Sequence, residues 1–266
     1  MTWDVENMKA ILFDLDGVFY QGDNEIKDAH TVSTWVKENK IPHLFVTNTT
    51  SRPRSALINK LAGFGIETDK KHILTPSLAA VHWLKQHGIT ENIALFVPDA
   101  TRSEFSELTV SSSPQEVNAV VLGDLGKQWD FDTLNQAFRF LMVKPQPEFI
   151  ALGMTRYWQA EDGLRLDVAP FIVALEYASG VKATILGKPA EAFYQAALNL
   201  LNVEADQTLM IGDDIRGDIQ GAQQAGLKAL LVKTGKFRDS DLDGDINPDA
   251  VLDSVLDLPD WWQQHK

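Results

Sequence analysis

The chain of 266 residues contains no cysteine. That absence excludes a disulfide framework, a thiolate zinc site, an iron–sulfur cluster and a cysteine nucleophile. No apolar run approaches the ~18 residues that a membrane span requires. The N-terminus begins MTWDVE, with acids where a secretion signal carries basic residues. A cytoplasmic protein is the expectation. Basic residues are also scarce: 24 Lys and Arg stand against 37 Asp and Glu, a formal net charge of -13. Such a surface repels phosphate backbones and anionic lipid, so neither nucleic acid nor membrane is an expected partner. A phosphorylated ligand would need positive charge concentrated locally. The six His residues show no HExxH spacing, and the GxSxG, Walker A and dinucleotide fingerprints are missing. Apolar residues make up 44% and charged residues 23%, which is ordinary for a globular chain. At roughly 150 residues per domain, this length suits one large domain or two smaller ones.

Short aliphatic runs alternate with amphipathic stretches along most of the chain. The runs at 10–13, 44–46, 184–186, 209–211 and 229–232 are almost unbroken by polar residues. Strands covered on both faces by helices have this character, and alternation exposes only those covered on one. Helices are predicted over 30–39, 55–62, 77–87, 190–201 and 220–225, several of them ending at a glycine (Gly63, Gly88, Gly226). The expected fold is α/β: a doubly wound, Rossmann-like core built on a parallel sheet. The middle of the chain breaks the rhythm with uneven spacing and polar loops, but it holds strands at 93–97, 119–122 and 149–152 and helices at 131–142 and 169–179. We expect an α/β cap domain at 83–182, inserted into a core formed by 1–82 and 183–266.

Ligands of open α/β sheets gather beyond the carboxyl ends of the strands, so the polar residues that follow each apolar run carry the information. The first run ends Asp14-Leu15-Asp16-Gly17, two carboxylates at a sharp turn. A lone Asp there would serve as well as a turn residue. The second ends Thr47-Asn48-Thr49-Thr50-Ser51, hydroxyl and amide groups suited to an anion or to capping the next helix. The third ends Gly187-Lys188-Pro189; a lysine at a buried strand end needs an anionic partner or a route to solvent. The fourth ends Gly212-Asp213-Asp214, with Asp218 opening the following helix, where an acid also complements the helix dipole. If these four ends share one sheet edge, they form an oxygen-only donor cluster suited to Mg²⁺, beside a hydroxyl and an ammonium that would hold a phosphoryl group.

In order and in type, Asp14-Leu15-Asp16-Gly17, Thr47-Asn48, Lys188-Pro189 and Gly212-Asp213-Asp214 with Asp218 resemble the four signature motifs of the haloacid dehalogenase superfamily. Their spacing is similar to the class IIA branch, in which a large α/β cap lies between the second and third motifs. Within that branch, the stretches 167–180, 187–189 and 210–237 resemble enzymes acting on phosphorylated lysine, phosphorylated histidine and pyrophosphate. The resemblance implies a Mg²⁺-dependent phosphohydrolase for small phosphorylated metabolites that works through an aspartyl-phosphate. Phosphoamino compounds and pyrophosphate are among its candidate substrates. It makes Asp14 the nucleophile and a metal ligand, and Asp16 the general acid/base, which also offers its main-chain carbonyl to the metal. Thr47 and Asn48 would hold phosphoryl oxygens, Lys188 would neutralise charge, and Asp213 would complete the metal ligands, supported by Asp214 and Asp218. A phosphotransferase or mutase using the same intermediate, and a non-catalytic binding protein, are the alternatives. A homodimer is a further expectation by analogy.

Three features compete for attention. Asp239-Ser-Asp241-Leu-Asp243-Gly244 matches the start of a calcium loop, but the twelfth position is Ala250 where such a loop places a bidentate Glu. A solvated acidic loop is expected there. Arg156, beside Tyr157 and Trp158, is a candidate for the substrate-facing side of the cap, with a packed aromatic pair and a surface Arg as the equal alternative. His43, beside the second run, is expected to be a packed or partly exposed core neighbour.

Overall fold

The computed structural model describes residues 5–160 and 162–265. The chain divides into two compact units: residues 1–47, 54–74 and 188–266 form one, and residues 48–53 and 75–187 the other.

The first unit is built on a six-stranded parallel sheet. Its order is Ala250–Leu252, Lys228–Val232, Thr208–Gly212, Ala10–Asp14, His43–Val46, Ile73–Leu74. Every residue of Ala10–Asp14 and of Thr208–Gly212 is buried, as the unbroken apolar runs predict for strands covered on both sides. On one face, Ile11, Phe13, Phe45, Leu209, Ile211 and Leu230 join a single cluster. The helices His30–Glu38 and Arg54–Gly63 feed that cluster through Val32/Val36 and Leu57/Leu61, pairs four residues apart on one helical stripe. The ring of Phe19 sits edge-on to Phe13 and Phe45, with centroids 5.5 and 5.3 Å away. The final helix, Leu258–Gln264, closes this side with Trp262 against Trp35 at 5.9 Å. Opposite-facing residues such as Leu12, Leu44 and Met210 are equally buried, and the helix Glu191–Leu201 packs on strand His43–Val46.

From the central strand Ala10–Asp14 the chain winds outward through His43–Val46 to Ile73–Leu74. It later re-enters at Thr208–Gly212 on the other side and winds outward again. The strand order therefore reverses between Ala10–Asp14 and Thr208–Gly212, the place where open parallel sheets leave a crevice for ligands.

The second unit has its own parallel sheet, ordered Thr184–Ile185, Glu148–Ala151, Ala119–Leu122, Ile93–Phe96. The helices Phe131–Leu141 and Ala169–Ser179 pack with it around Val120, Leu122, Phe140, Phe149 and Ile172. An antiparallel hairpin, Tyr157–Ala160 with Gly163–Leu166, is attached.

Two sequence-based expectations need correction. The run ending in Lys188 is not a strand of the first sheet: Thr184 pairs with Ile150 and Ile185 with Ala151 in the second unit. The divisions also fall at 74/75 and 187/188 rather than at 82/83 and 182/183. Helix Pro76–Gln86 and strand Thr184–Ile185 both belong to the second unit. A buried parallel strand has the same apolar signature whichever sheet it joins, so the sequence does not reveal the allegiance of 184–186.

Candidate active site

Three adjacent parallel strands bring their carboxyl ends to one edge. Asp14 closes the central strand, Asp213 follows Thr208–Gly212, and Thr47 follows His43–Val46, in register with Asp14 opposite Val46. Asp14, Thr47, Lys188, Asp213 and Asp218 are all buried.

Lys188 organises the cluster from the segment that re-enters the first unit. Its ammonium donates to Asp14 Oδ1 and to Asp218 Oδ1, each at 2.6 Å. Burial opposes the lysine's charge, but the two carboxylates outweigh it and hold the ammonium's pKa above its ordinary value. The lysine left unexplained by sequence thus has its anionic partners, two of them.

Asp213 lies one residue past its strand. Its Oδ2 accepts from the backbone N–H of Lys236 at 2.6 Å, while its buried Oδ1 has no hydrogen-bond partner among the described residues. Burial first, then the charges of Asp14 and Asp218, push the carboxyl up to about 8. Asp218 is raised to about 6, also chiefly by burial, with Lys188 pulling the other way. Two glycines make room for Asp213. Gly17 (φ +96°) and Gly235 (φ +62°) hold left-handed conformations, and a Cβ on either would collide with the Asp213 carboxylate.

Asp213 and Asp214 are consecutive but have different jobs. After Asp214 the chain turns through a π-helical segment, Ile215–Gln220. The Asp214 side chain caps it, accepting from the N–H groups of Arg216 (3.0 Å) and Gly217 (2.8 Å). Lys236 Nζ pairs with its other oxygen at 3.2 Å. These donors outweigh burial, so the Asp214 carboxyl is lowered. Its backbone N–H donates to Asp218 Oδ2 at 3.2 Å. The buried Tyr194 hydroxyl donates to the carbonyls of Gly217 (2.8 Å) and Asp218 (3.1 Å), which fixes the same turn.

One carboxylate oxygen from each of Asp14, Asp213 and Asp218 can be chosen so that all lie within 4.8 Å of one another. Three buried carboxylates with one orphaned oxygen are costly without a compensating cation. An oxygen-only donor set suits a hard divalent ion, and the residues present fit one. Asp16 adds no carboxylate to this group. It is exposed on the loop after Asp14, and its carboxyl is raised by loss of solvent and then by the charge of Asp14, against a hydrogen bond from the Gly22 backbone.

Asn48 and Arg156 lie in the second unit. Asn48 Oδ1 is 3.2 Å from the point a Cβ on Gly187 would occupy. Arg156 is exposed, its guanidinium 5.8 Å from the centroid of the Tyr157 ring. The acidic loop Asp239–Asp243 is a 3₁₀ turn in which Asp241 accepts from the Arg238 N–H at 2.8 Å. No metal-capable grouping forms at that loop among the described residues. His43 is buried and stacked on His72 at 5.2 Å. No sequence pattern marks Thr234, whose hydroxyl donates to the Gly17 carbonyl, Gly235 and Lys236, which meet Asp213 through their backbone, or Tyr194, which sits mid-helix with no motif around it.

The haloacid dehalogenase-like hydrolase family matches residues 11–111, and a HAD-hydrolase-like family matches residues 185–258. Phospholysine phosphohistidine inorganic pyrophosphate phosphatase of Homo sapiens is 36% identical over 263 residues, spanning 97% of this chain and 95% of that protein. The chain belongs to the haloacid dehalogenase-like hydrolases. A second such hydrolase, haloacid dehalogenase-like hydrolase domain-containing protein 2 of Bos taurus, is 36% identical over 245 residues, 92% of this chain and 91% of that one. The fold agrees as well: the structure of p-nitrophenyl phosphatase from Archaeoglobus fulgidus aligns with a TM-score of 0.87 at 24% identity, over 96% of this chain and 99% of that one. Across this haloacid dehalogenase-like core no helix of the described residues is long and apolar enough to cross a membrane.

Proposed function

We propose that this chain is a Mg²⁺-dependent phosphohydrolase that transfers the phosphoryl group of a small metabolite to Asp14 and then to water. The observation that carries the reading is the buried Asp14–Lys188–Asp218 bridge beside the unpartnered oxygen of Asp213. A phosphatase-named relative at 36% identity over nearly the whole chain supports it.

A carboxylate attacks a phosphate poorly because both are negative. Lys188 lies 2.6 Å from Asp14 and offers fixed positive charge at the site of attack. Mg²⁺, held by Asp14 and Asp213 with Asp218 in support and a main-chain carbonyl of Asp16, would supply further positive charge against the phosphoryl oxygens. Asp14 forms the bond to phosphorus as the bond to the leaving oxygen breaks, and Asp16 hands that oxygen its proton. Asp16, now ionised, takes a proton from water. The water oxygen attacks phosphorus, phosphate leaves, and the Asp14 carboxylate is restored. The raised proton affinity of Asp16 suits a group that begins the cycle protonated. Thr47, one residue beyond the strand neighbouring Asp14, and Asn48 after it would hold phosphoryl oxygens. The second unit would serve as the cap, with Arg156 on its substrate side.

We place the enzyme in the cytoplasm, consistent with the cysteine-free chain, and infer a homodimer by analogy with the branch, which sedimentation equilibrium would decide. The relative's name makes phosphoamino compounds and pyrophosphate the first substrates to try. A panel of these with sugar phosphates and nucleotides, assayed with Mg²⁺ and with EDTA, tests the reading. Mg²⁺-dependent phosphate release supports it, and no release from any member contradicts it. Transfer to an added sugar acceptor instead of water would favour a phosphotransferase.

A further inference from the structure

The doublet Asp14-Leu15-Asp16 runs into a small hairpin in which Tyr20 pairs with Glu25 and Gln21 with Asn24. Gly22 and Asp23 form the two-residue turn, Gly22 at φ +59°. Strands of two residues cannot stabilise a hairpin alone, so its placement depends on what it docks against. That support is the helix Arg54–Gly63 and its end. The Tyr20 ring lies against Phe64 at 5.7 Å, and Lys60 Nζ stands 4.0 Å above the same ring. Lys60 also donates to the Gly22 carbonyl at 2.5 Å and pairs with Asp23 at 3.5 Å. Its side chain is only 17% exposed, whereas that of Asp23 is 96% exposed, so the carbonyl bond and the ring contact are the contacts that hold it. The hairpin also holds the loop that carries Asp16: Asp16 forms a bridge with Tyr20, and the Gly17 N–H donates to the Tyr20 carbonyl at 2.6 Å. The hairpin is thus gripped by Lys60 at the Gly22 carbonyl and the Tyr20 ring, and through Tyr20 it is tied to the backbone of Asp16 and Gly17.

We propose that Lys60 is a positioning residue for Asp16, acting through the hairpin and Tyr20 rather than by touching substrate. This inference rests on the phosphohydrolase reading above. A general acid must meet the leaving oxygen at hydrogen-bond distance, and a displacement of about 1 Å costs up to ~10²-fold. Lys60→Met keeps an apolar stem against Tyr20 but removes the donor to Gly22. The loss should fall on the step that protonates the leaving group, and only where that group needs a proton.

The test compares kcat/KM, which reports events up to leaving-group departure, for p-nitrophenyl phosphate and for ethyl phosphate. Nitrophenolate leaves readily without a proton; ethoxide does not. Lys60→Met should lower kcat/KM for ethyl phosphate about 10-fold or more, given the ~10²–10⁴-fold worth of general acid catalysis. The change for p-nitrophenyl phosphate should stay within about 2-fold, and Lys60→Arg should restore most of the loss. A merely structural lysine would lower both substrates alike. Equal losses, or no loss for ethyl phosphate, would overturn the proposal. Should Lys60→Met not fold, Lys60→Gln, whose shorter side chain stops short of Gly22, must show the same split. The same split must appear for any two accepted substrates whose leaving groups differ in this way; if the panel above yields no phosphate release at all, the phosphohydrolase reading fails first and the role of Lys60 falls with it.

Discussion

Three carboxyl groups crowded beside one lysine make a specific demand on pH. The Asp213 carboxyl is pushed up to about 8 and that of Asp218 to about 6, in both cases chiefly by burial. In the unfolded chain both would titrate near the ordinary carboxylate value of ~4. Between these limits the folded protein holds protons that the unfolded chain releases. Without metal, stability is therefore greatest on the acid side of this window and falls as pH rises through it. One such group gives a slope of up to about 1.4 kcal/mol per pH unit. From about pH 5 to 8 the loss should reach a few kcal/mol, which lowers the unfolding midpoint by several degrees at ~2–4 °C per kcal/mol. Mg²⁺ binds the ionised carboxylate, so its stabilising effect should grow with pH over the same range. At a hundredfold excess over its dissociation constant that effect is about 2.7 kcal/mol. Asp213→Asn cannot ionise, so the variant should be more stable than the parent at pH 8 without metal and gain little from Mg²⁺. Calorimetry across pH, with EDTA and with Mg²⁺, reads all of this. Metal-free stability that rises from pH 5 to 8, or an Asp213→Asn protein that keeps the parent's slope and Mg²⁺ response, would show that Asp213 does not hold its proton above the ordinary carboxylate range.

Three further outcomes are expected. Asp16→Asn should lower kcat ~10²–10⁴-fold while the protein remains folded, because both proton transfers lose their carrier; steady-state kinetics with circular dichroism measures both parts. Gly235→Ala should weaken Mg²⁺ activation and stability, since the added methyl meets Asp213 and Gly17 in a left-handed backbone conformation; the Mg²⁺ concentration for half-maximal activity reads the first effect and thermal unfolding the second. Replacing Asp241 and Asp243 together by Ala should leave turnover and its Mg²⁺ dependence within about 2-fold, because that loop is exposed and gathers no metal-capable cluster.

Much of the core and of the charged cluster was legible before folding, for one physical reason. Strands buried on both faces must be apolar, so the first polar residue after each run marks a sheet edge. Asp14, Thr47 and Asp213 were found that way. Lys188 was found by the same argument but for a partly wrong cause, since its run belongs to the second sheet. What brings it to Asp14 is the return of the chain into the first unit. The sequence also left Asp214 and Asp218 equivalent. Only the π-helical turn separates them: it aims Asp218 at Lys188 and leaves Asp214 to cap backbone amides. Lys236 holds Asp213 through its main-chain N–H, a donor every residue but proline has, so no side-chain pattern could have signalled it. The grip of Lys60 on Gly22 joins positions 38 apart in sequence, a contact that periodicity cannot express.

The proposed reaction requires a phosphoryl group carried by Asp14. Rapid quenching in acid during turnover, followed by proteolysis and mass spectrometry, shows whether the peptide bearing Asp14 gains one phosphoryl group. That modification is expected on Asp14 alone, more of it in Asp16→Asn if loss of water activation slows the second step more than the first, and none in an Asp14→Asn protein that has also lost turnover. An Asp14→Asn protein that still releases phosphate at near the parent's rate would contradict it, because water would then be attacking phosphorus directly.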